Sequence, residues 1–155
     1  MENKMGTEER AYIDEMIAKY APDVDKLAAY IPWLEEKYGL EVKKTFDNPD
    51  IVTGSVPFPV YDSNMMSFIN AAAETSFMDP NYVYTFSRNR LKTDTDIELF
   101  ISNCNGLKDL KDLGNIIAKY VLGGRTKSKL WSEGVKNGIL LSAIMKMRDI
   151  LQIYR

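Results

Sequence analysis

Residues 107–131 read LKDLKDLGNIIAKYVLGGRTKSKLW, and this stretch decides the fold class. Its apolar residues recur three and four positions apart, which is the spacing of one face of an α-helix. The apolar stripe consists of Leu107, Leu110, Leu113, Ile117, Tyr120 and Val121. The pair Gly123-Gly124 is expected to end this helix, because glycine commonly follows the last helical turn.

The same spacing runs through the N-terminal part of the chain and predicts two helical regions. The first is capped by Thr7, continues through Tyr20 and is expected to break at Ala21-Pro22-Asp23. The second extends from Val24 and is stopped by Gly39. Its internal Pro32 predicts either a kink or a division into two shorter helices.

Further helices are predicted in the middle and at the end of the chain. One begins at Asp62 or Ser63 and another at Thr93 or Asp94, all of which are good N-cap residues. The stripe from Leu130 to Leu151 predicts one long terminal helix. In that helix the small residues Gly134, Gly138 and Ser142 lie four apart and share one face. We interpret this face as helix packing, either within the fold or across a homodimer.

Two segments do not fit a plain helical pattern. Residues 40–60 mix β-branched residues with turn-forming Asn, Gly and Pro, which is typical of an irregular loop or a small hairpin. Residues 81–88, NYVYTFSR, alternate like a strand, but Asp79-Pro80 before them is a good helix start. We predict a short helix for residues 81–88.

The resulting prediction is an all-α fold, a compact bundle of about six helices with an irregular or hairpin-like segment near residues 40–60. A length of 155 residues fits a single helical domain over residues 1–155, with residues 1–6 disordered. The chain contains no apolar run of the roughly 20 residues that a membrane span needs, and no signal peptide. We therefore expect a cytoplasmic protein that does not contact a membrane.

The composition removes several classes of function. The chain has no histidine and one cysteine, so imidazole-based triads and zinc sites built on His or several Cys are excluded. No phosphate-binding P-loop, dinucleotide-binding glycine motif or calcium-binding EF-hand loop occurs. Asp94, Asp96 and Glu98 fit the acidic first turn of a helix without a metal. We assign no catalytic residue, no metal and no cofactor, although carboxylate, lysine or tyrosine chemistry stays open.

The net charge of −2 conceals an uneven distribution along the chain. Residues 1–60 carry 12 acidic and 7 basic side chains, whereas residues 105–155 carry 4 acidic and 10 basic ones. Such asymmetry either marks a face for a charged partner or is cancelled by ion pairs within the fold.

The turn after Gly123-Gly124 is the first candidate binding site. Arg125, Lys127 and Lys129 lie next to a predicted helix start, and Thr126 offers a hydroxyl. Helix starts expose backbone N–H groups and partial positive charge, so this segment can hold a nucleic-acid backbone or a phosphorylated ligand. The alternative is a glycine helix stop followed by a capped helix with solvated lysines.

An aromatic and arginine cluster is the second candidate. Tyr82, Tyr84 and Phe86, with Arg88 and Arg90, can line a pocket, anchor a protein interface or stack on bases. The alternative is that the rings belong to the core and the arginines pair with acids. Trp131 is a further aromatic interface candidate. We expect Arg88 and Arg90 to form one surface with Arg125, Lys127 and Lys129.

Three segments of the chain carry a family resemblance, and their order is more specific than any one of them. They are residues 56–61 (VPFPVY), 81–88 (NYVYTFSR) and 119–131 (KYVLGGRTKSKLW). Together they resemble a family of small bacterial proteins of unknown function, typical of Gram-positive bacteria and often carried on mobile elements. The resemblance implies a cytoplasmic accessory protein and assigns no catalytic residue.

The function we predict is that of a non-enzymatic accessory protein that binds another macromolecule, most simply a protein. On a mobile element, such a factor would act on a host complex. Two alternatives stay open: a nucleic-acid-binding module that uses the basic C-terminal segment, and a small enzyme that acts on a phosphorylated metabolite. The nucleic-acid alternative predicts affinity that falls steeply with salt.

Overall fold

The computed structural model describes residues 7–40, 43–45, 59–61, 63–127 and 129–155, and over these residues the protein is an all-α bundle. The prediction of an all-α fold is confirmed. The described residues form eight helices rather than about six: α1 (Thr7–Ala28), α2 (Ile31–Lys37), α3 (Ser63–Ala73), α4 (Val83–Arg88), α5 (Asp94–Asn103), α6 (Leu110–Gly123), α7 (Lys129–Lys136) and α8 (Ile139–Tyr154). A single turn of 3₁₀-helix, Leu107–Asp109, leads into α6.

The segment near residues 40–60 contributes two short antiparallel strands, β1 (Lys43–Thr45) and β2 (Pro59–Tyr61). Lys43 pairs with Tyr61 and Thr45 with Pro59, so the two strands lie as the two arms of a hairpin do. Residues 41–42 and 46–58 lie outside the described residues, and so do residues 1–6, for which disorder is predicted.

Helix α6 lies at the centre of the bundle, packed against α3, α4, α7 and α8. Nine of its 14 residues are buried, which is typical of a helix packed against several others. Every residue of the stripe from Leu107 to Val121 is buried, as predicted. The C-terminal helix α8 packs on both α6 and α1. Arg155 Nη2 lies 2.8 Å from Asp25 Oδ1, so at least one ion pair joins the basic and acidic ends of the chain.

The predicted break at Ala21-Pro22-Asp23 is wrong, because α1 continues through Pro22 to Ala28. Proline lacks an N–H group and so removes one helical hydrogen bond. Pro22 is exposed, while Ala21 and Val24 beside it are buried. Water can therefore hydrate the carbonyl that loses its partner, and packing of the buried face keeps the helix intact. The chain divides instead before α2, where Pro32 lies in the first turn, and the alternative of two shorter helices is confirmed.

The predicted single terminal helix is also wrong, because Asn137 and Gly138 separate α7 from α8. Gly138 adopts φ +80°, a left-handed conformation that glycine accepts without strain. The Asn137 side chain then caps α8, since its Oδ1 accepts a hydrogen bond from Ile139 N at 2.9 Å. Gly134, Gly138 and Ser142 therefore do not share one helix face.

Each of these three small residues has a different environment. A Cβ atom on Gly134 would lie 2.8 Å from the Tyr120 ring and 2.9 Å from Leu140 Cδ1, so this glycine allows α7 to approach α6 and α8 closely. Gly138 forms the turn, and Ser142 is exposed.

Two local predictions are confirmed by the observed helices. Residues 83–88 form the short helix α4, and Asp79 Oδ1 accepts a hydrogen bond from Asn81 N just before it, at 2.8 Å. Thr93 caps α5: its hydroxyl accepts from Asp96 N, and the Asp96 carboxylate accepts from Thr93 N, each at 3.1 Å. This reciprocal pair is a capping box.

Candidate functional site

A groove forms where the start of α4 meets the end of α6 and the α6–α7 turn. It has a volume of about 330 Å³. We call it the α4–α6 groove, and it is lined by Tyr82, Val83, Phe86, Lys119, Gly123, Thr126, Lys127 and Leu130. The groove thus brings together parts of the two candidate sites, the aromatic cluster and the basic turn, which are far apart in sequence.

The floor of the groove is apolar and closely packed. The Tyr82 and Phe86 rings meet edge to face, with their centroids 6.5 Å apart. A Cβ atom on Gly123 would lie 2.9 Å from Leu130 Cδ1 and 3.4 Å from the Tyr82 hydroxyl. Because glycine has no side chain, Leu130 and Tyr82 can both close against the last turn of α6.

Lys119 places a positive charge beside this apolar floor. Its Nζ lies 5.0 Å from the centroid of the Phe86 ring and 5.1 Å from that of Tyr120, both within the range of a cation–π contact. In the part of the chain that the structure describes, neither Lys119 nor Lys127 forms an ion pair, and no acidic residue lines the groove. The groove therefore has an apolar floor with two positive charges that no carboxylate of the described residues neutralises.

Over residues 124–127, the backbone N–H groups of the basic turn already have partners and do not form a cradle for an anion. Four successive N–H groups, those of residues 124–127, donate to carbonyl oxygens of Tyr120, Leu122 and Gly123 at 3.0–3.2 Å. The Thr126 hydroxyl also donates to Gly123 O, at 3.2 Å. Arg125, Lys127 and Lys129 are exposed. Anion binding at this turn would therefore depend on the charged side chains, and the backbone arrangement matches the alternative of a helix stop with solvated lysines.

Gly124 and Trp131 have structural roles in the same turn. A Cβ atom on Gly124 would overlap the Trp131 indole, and Gly124 itself is buried. The indole Nε1 donates to Val121 O at 2.9 Å, and the side chain is only partly exposed. Trp131 therefore ties α7 to the end of α6 instead of presenting an open aromatic face.

Arg88 and Arg90 lie apart from the α4–α6 groove, so the expected single surface with the basic turn is not formed. Arg88 Nη2 lies 3.1 Å from Asp112 Oδ1, near the start of α6. Lys119, the groove residue of α6 nearest to Asp112 in sequence, lies about 10 Å further along the helix axis for a rise of 1.5 Å per residue. Arg90 adopts φ 55° and lines a separate cleft beside α5.

A buried polar network lies beside the ion pair of Arg88 with Asp112. The Thr85 hydroxyl donates to Asp112 Oδ1 at 3.3 Å and accepts from Asn115 Nδ2 at 2.7 Å. Thr85 is 1% exposed and Asn115 is 5% exposed, so both need internal partners. The alternative in which the arginines pair with acidic neighbours therefore describes Arg88 well.

The exposed aromatic candidate is Tyr84, whose side chain is 64% exposed. It lies beside Val83, which lines the groove and is 52% exposed. Val83 extends the apolar lining outward, whereas Tyr84 follows it in sequence and does not line the groove. Tyr82 is partly buried by its contact with Phe86.

The Cys104 thiol and the Tyr120 hydroxyl belong to buried residues. Burial raises the pKa of the Cys104 thiol to about 11, and the side chain is 3% exposed. Burial likewise raises the pKa of Tyr120 to about 12. Over the described ranges, no group of three potential metal ligands lies together. Nor does any described helix combine the length and apolar character that crossing a membrane requires.

Sequence reasoning did not assign Lys119, Val83 or Leu130 to a site. For Lys119 a signal exists: it is the one charged residue within the apolar run from Ile116 to Leu122. Its neighbours Ala118 and Tyr120 are buried, so its charge must emerge at the edge of a buried helix. Val83 and Leu130 carry no comparable signal.

The chain matches no protein-family model, no curated protein and no solved structure. The chemistry of the α4–α6 groove is therefore the basis for a functional assignment.

Proposed function

We propose that this protein is a non-enzymatic binding protein that docks a protein partner at the α4–α6 groove. The observation that carries the proposal is the combination of an apolar floor with two lysines, Lys119 and Lys127, that have no acidic partner among the described residues. Buried ring and aliphatic contacts supply affinity in protein interfaces, and charges at the rim steer the partner and fix its orientation.

The surroundings of the groove favour a protein partner. Val83 and Tyr84 are exposed beside it, and tyrosine is enriched at the centre of protein interfaces. Arg125 and Lys129 add exposed positive charge near the same rim. Such a surface would suit a partner that combines apolar and acidic side chains.

The family resemblance supports a more specific version of this proposal. In that version the protein is an accessory factor of a bacterial mobile element, acts in the cytoplasm and binds a complex of the host cell. This version depends on the resemblance of residues 56–61, 81–88 and 119–131 alone.

Nucleic acid is the second candidate ligand, and the exposed side chains of Arg125, Lys127 and Lys129 favour it. Base stacking would need an accessible ring face. One face of Phe86 is covered by the Lys119 ammonium group, and Tyr82 meets Phe86 edge to face. Only Tyr84 offers a largely exposed ring in this region. The enzymatic alternative has less support, because the groove lining is mainly apolar and the Thr126 hydroxyl already donates to Gly123 O.

Affinity capture from a bacterial lysate with matched variants tests the proposal. Val83→Asp places a carboxylate in the groove, and the first turn of a helix tolerates an acid well. Leu99→Asp makes the same type of change on α5, at a side chain that is 62% exposed and does not line the groove. Circular dichroism and thermal unfolding establish that both variants fold.

We expect a discrete protein to be retained by the wild type and by Leu99→Asp and to survive nuclease treatment. Retention by Val83→Asp should fall about tenfold or more, as for the loss of an interface anchor. Equal retention by all three proteins would contradict docking at the groove. Nucleic acid that is lost on nuclease treatment would favour the second candidate instead.

A further inference from the structure

We infer that the partner segment bound by the α4–α6 groove presents one large apolar side chain with a carboxylate close beside it. This inference rests on the proposed function and adds the chemistry of the ligand. It follows from three properties of the groove: its size, the position of Lys119 and the absence of acidic side chains from the described lining.

The size of the groove suits a single anchor. Its volume of about 330 Å³ is near the lower limit of the pockets that hold whole small molecules, roughly 300–1,000 Å³. An interface anchor, by contrast, is one aromatic or aliphatic side chain that fills a pocket of the partner. Phe86, Leu130 and Val83 offer such a side chain an apolar lining.

The position of Lys119 requires the carboxylate to be near the anchor. Its ammonium group lies 5.0 Å from the Phe86 centroid, directly beside the apolar floor. An acidic residue adjacent to the anchor in the partner sequence would reach this ammonium while the anchor fills the groove. Hydrogen bonds between ionised groups are shorter and stronger than neutral ones, so this contact would contribute to both affinity and orientation.

Charge selection would extend beyond this contact. Lys127 lines the groove, and Arg125 and Lys129 are exposed on the same turn, so approach of a basic segment would be unfavourable. A purely apolar segment would leave these charges without any partner. The preferred ligand is therefore both acidic and apolar.

Selection from a phage-displayed library of random dodecapeptides on the immobilised full chain tests the inference. The library is first depleted on Val83→Asp, so that peptides bound elsewhere on the surface are removed. Selected peptides are then resynthesised and titrated against the wild type and against Lys119→Gln, Lys127→Gln and the control Lys108→Gln. Lys108 is exposed and does not line the groove.

We expect enriched peptides to share one aromatic or large aliphatic residue with Asp or Glu at a neighbouring position. Lys119→Gln should weaken their binding about tenfold, because a charge-assisted bond beside apolar surface is lost. Lys127→Gln should weaken it about threefold or less, since its ammonium is exposed to solvent, and Lys108→Gln should have no effect.

Other outcomes separate the inference from the proposed function. Groove-dependent peptides that are basic, or that lack an apolar residue, would overturn the inference and leave the protein-binding function intact. Peptides whose binding is unaffected by Lys119→Gln would also overturn it. If no peptide is selected while single-stranded oligothymidylate binds the wild type and not Val83→Asp, both the inference and the proposed function are wrong.

Discussion

Gly114, Gly124 and Gly134 each allow an aromatic ring of another segment to lie against the backbone of a helix or its end. The rings belong to Phe77, Trp131 and Tyr120 respectively. In each case a Cβ atom would collide with the ring, so the contact depends on the missing side chain. The sequence pattern indicated a helix stop at Gly124 but not the ring that covers it, because the partner of a glycine is set by tertiary packing.

Gly124→Ala should therefore lower the free energy of unfolding by about 1–3 kcal/mol, as is typical of overpacking. The added methyl group must displace the Trp131 indole and disturb its hydrogen bond to Val121 O. Urea unfolding measures the change. Gly106→Ala is the matched control, because its new Cβ would meet no atom closer than 3.8 Å and φ is already negative. If Gly106→Ala lowers the free energy of unfolding as much as Gly124→Ala does, the contact with the indole is not the cause of the destabilisation.

The Thr85–Asn115 hydrogen bond is a second contact between residues distant in sequence, 2.7 Å long and buried. Thr85→Val leaves the Asn115 amide without this acceptor and should lower stability by about 1–3 kcal/mol. Asn115→Leu removes the other partner. The double variant should be less destabilised than the sum of the two single variants by at least about 0.5 kcal/mol, which a double-mutant cycle of urea unfolding measures. Additive losses would show that the pair is not coupled.

The ends of the helices differ in how well the sequence predicts them. The α5 start is encoded within four residues, because Thr93 and Asp96 satisfy each other's backbone N–H groups, and it was correctly predicted. The continuation of α1 through Pro22 depends on which face of the helix is buried. The break at Gly138 depends on its left-handed backbone, beside which Asn137 Oδ1 accepts from Ile139 N at the start of α8. A helix end that is set by hydrogen bonds between neighbouring residues can therefore be predicted from the sequence. Where two local structures are both acceptable, tertiary packing decides between them.

Thr93→Ala should destabilise the protein by about 1 kcal/mol, because α5 loses the hydroxyl that accepts from Asp96 N. Thr95→Ala is a suitable control, since Thr95 is exposed within the same helix and alanine has the higher helix propensity. Thermal unfolding of the two variants and the wild type provides the comparison. A larger loss for Thr95→Ala than for Thr93→Ala would contradict the observed cap.

Two buried side chains, Cys104 and Tyr120, make the stability of the whole protein depend on pH, because burial favours their neutral forms. Burial is the main cause of the raised pKa of both Cys104 and Tyr120. Because the unfolded chain loses these protons at lower pH than the folded chain, deprotonation favours unfolding. Their contribution to stability is complete below the unfolded pKa values and is lost as the pH rises through the folded ones.

The free energy of unfolding should therefore decrease as the pH rises from 9 toward 11, the interval over which the Cys104 pKa is shifted, and further toward 12 because of Tyr120. Urea unfolding at a series of alkaline pH values measures this decrease. Cys104→Ala and Tyr120→Phe should each show a shallower decrease, whatever their stability at pH 8. An identical pH dependence in wild type and variants would show that Cys104 and Tyr120 do not cause the decrease in stability.

The α4–α6 groove depends on packing between two segments that are distant in sequence, and the sequence pattern does not predict this packing. Both of its walls include candidate residues, Tyr82 and Phe86 from the aromatic and arginine cluster and Gly123, Thr126 and Lys127 from the basic turn. Helical periodicity predicts each segment but not their docking, which follows from α4 lying along α6 with Arg88 at Asp112 and Tyr82 at Gly123. Periodicity likewise does not indicate that Arg88 pairs with Asp112.

The contact of Trp131 with Gly124 gives the protein an intrinsic optical probe. The chain has two tryptophans, and Trp131 lies in the first turn of α7, next to the turn that forms one wall of the groove, with its indole N–H donating to Val121 O. In a Trp33→Phe background, emission would come from Trp131 as the single remaining indole. A ligand that moves Leu130 or the α6–α7 turn would alter the hydration of that ring and shift its emission maximum. Occupancy of the groove can thus be followed by fluorescence without attaching a label.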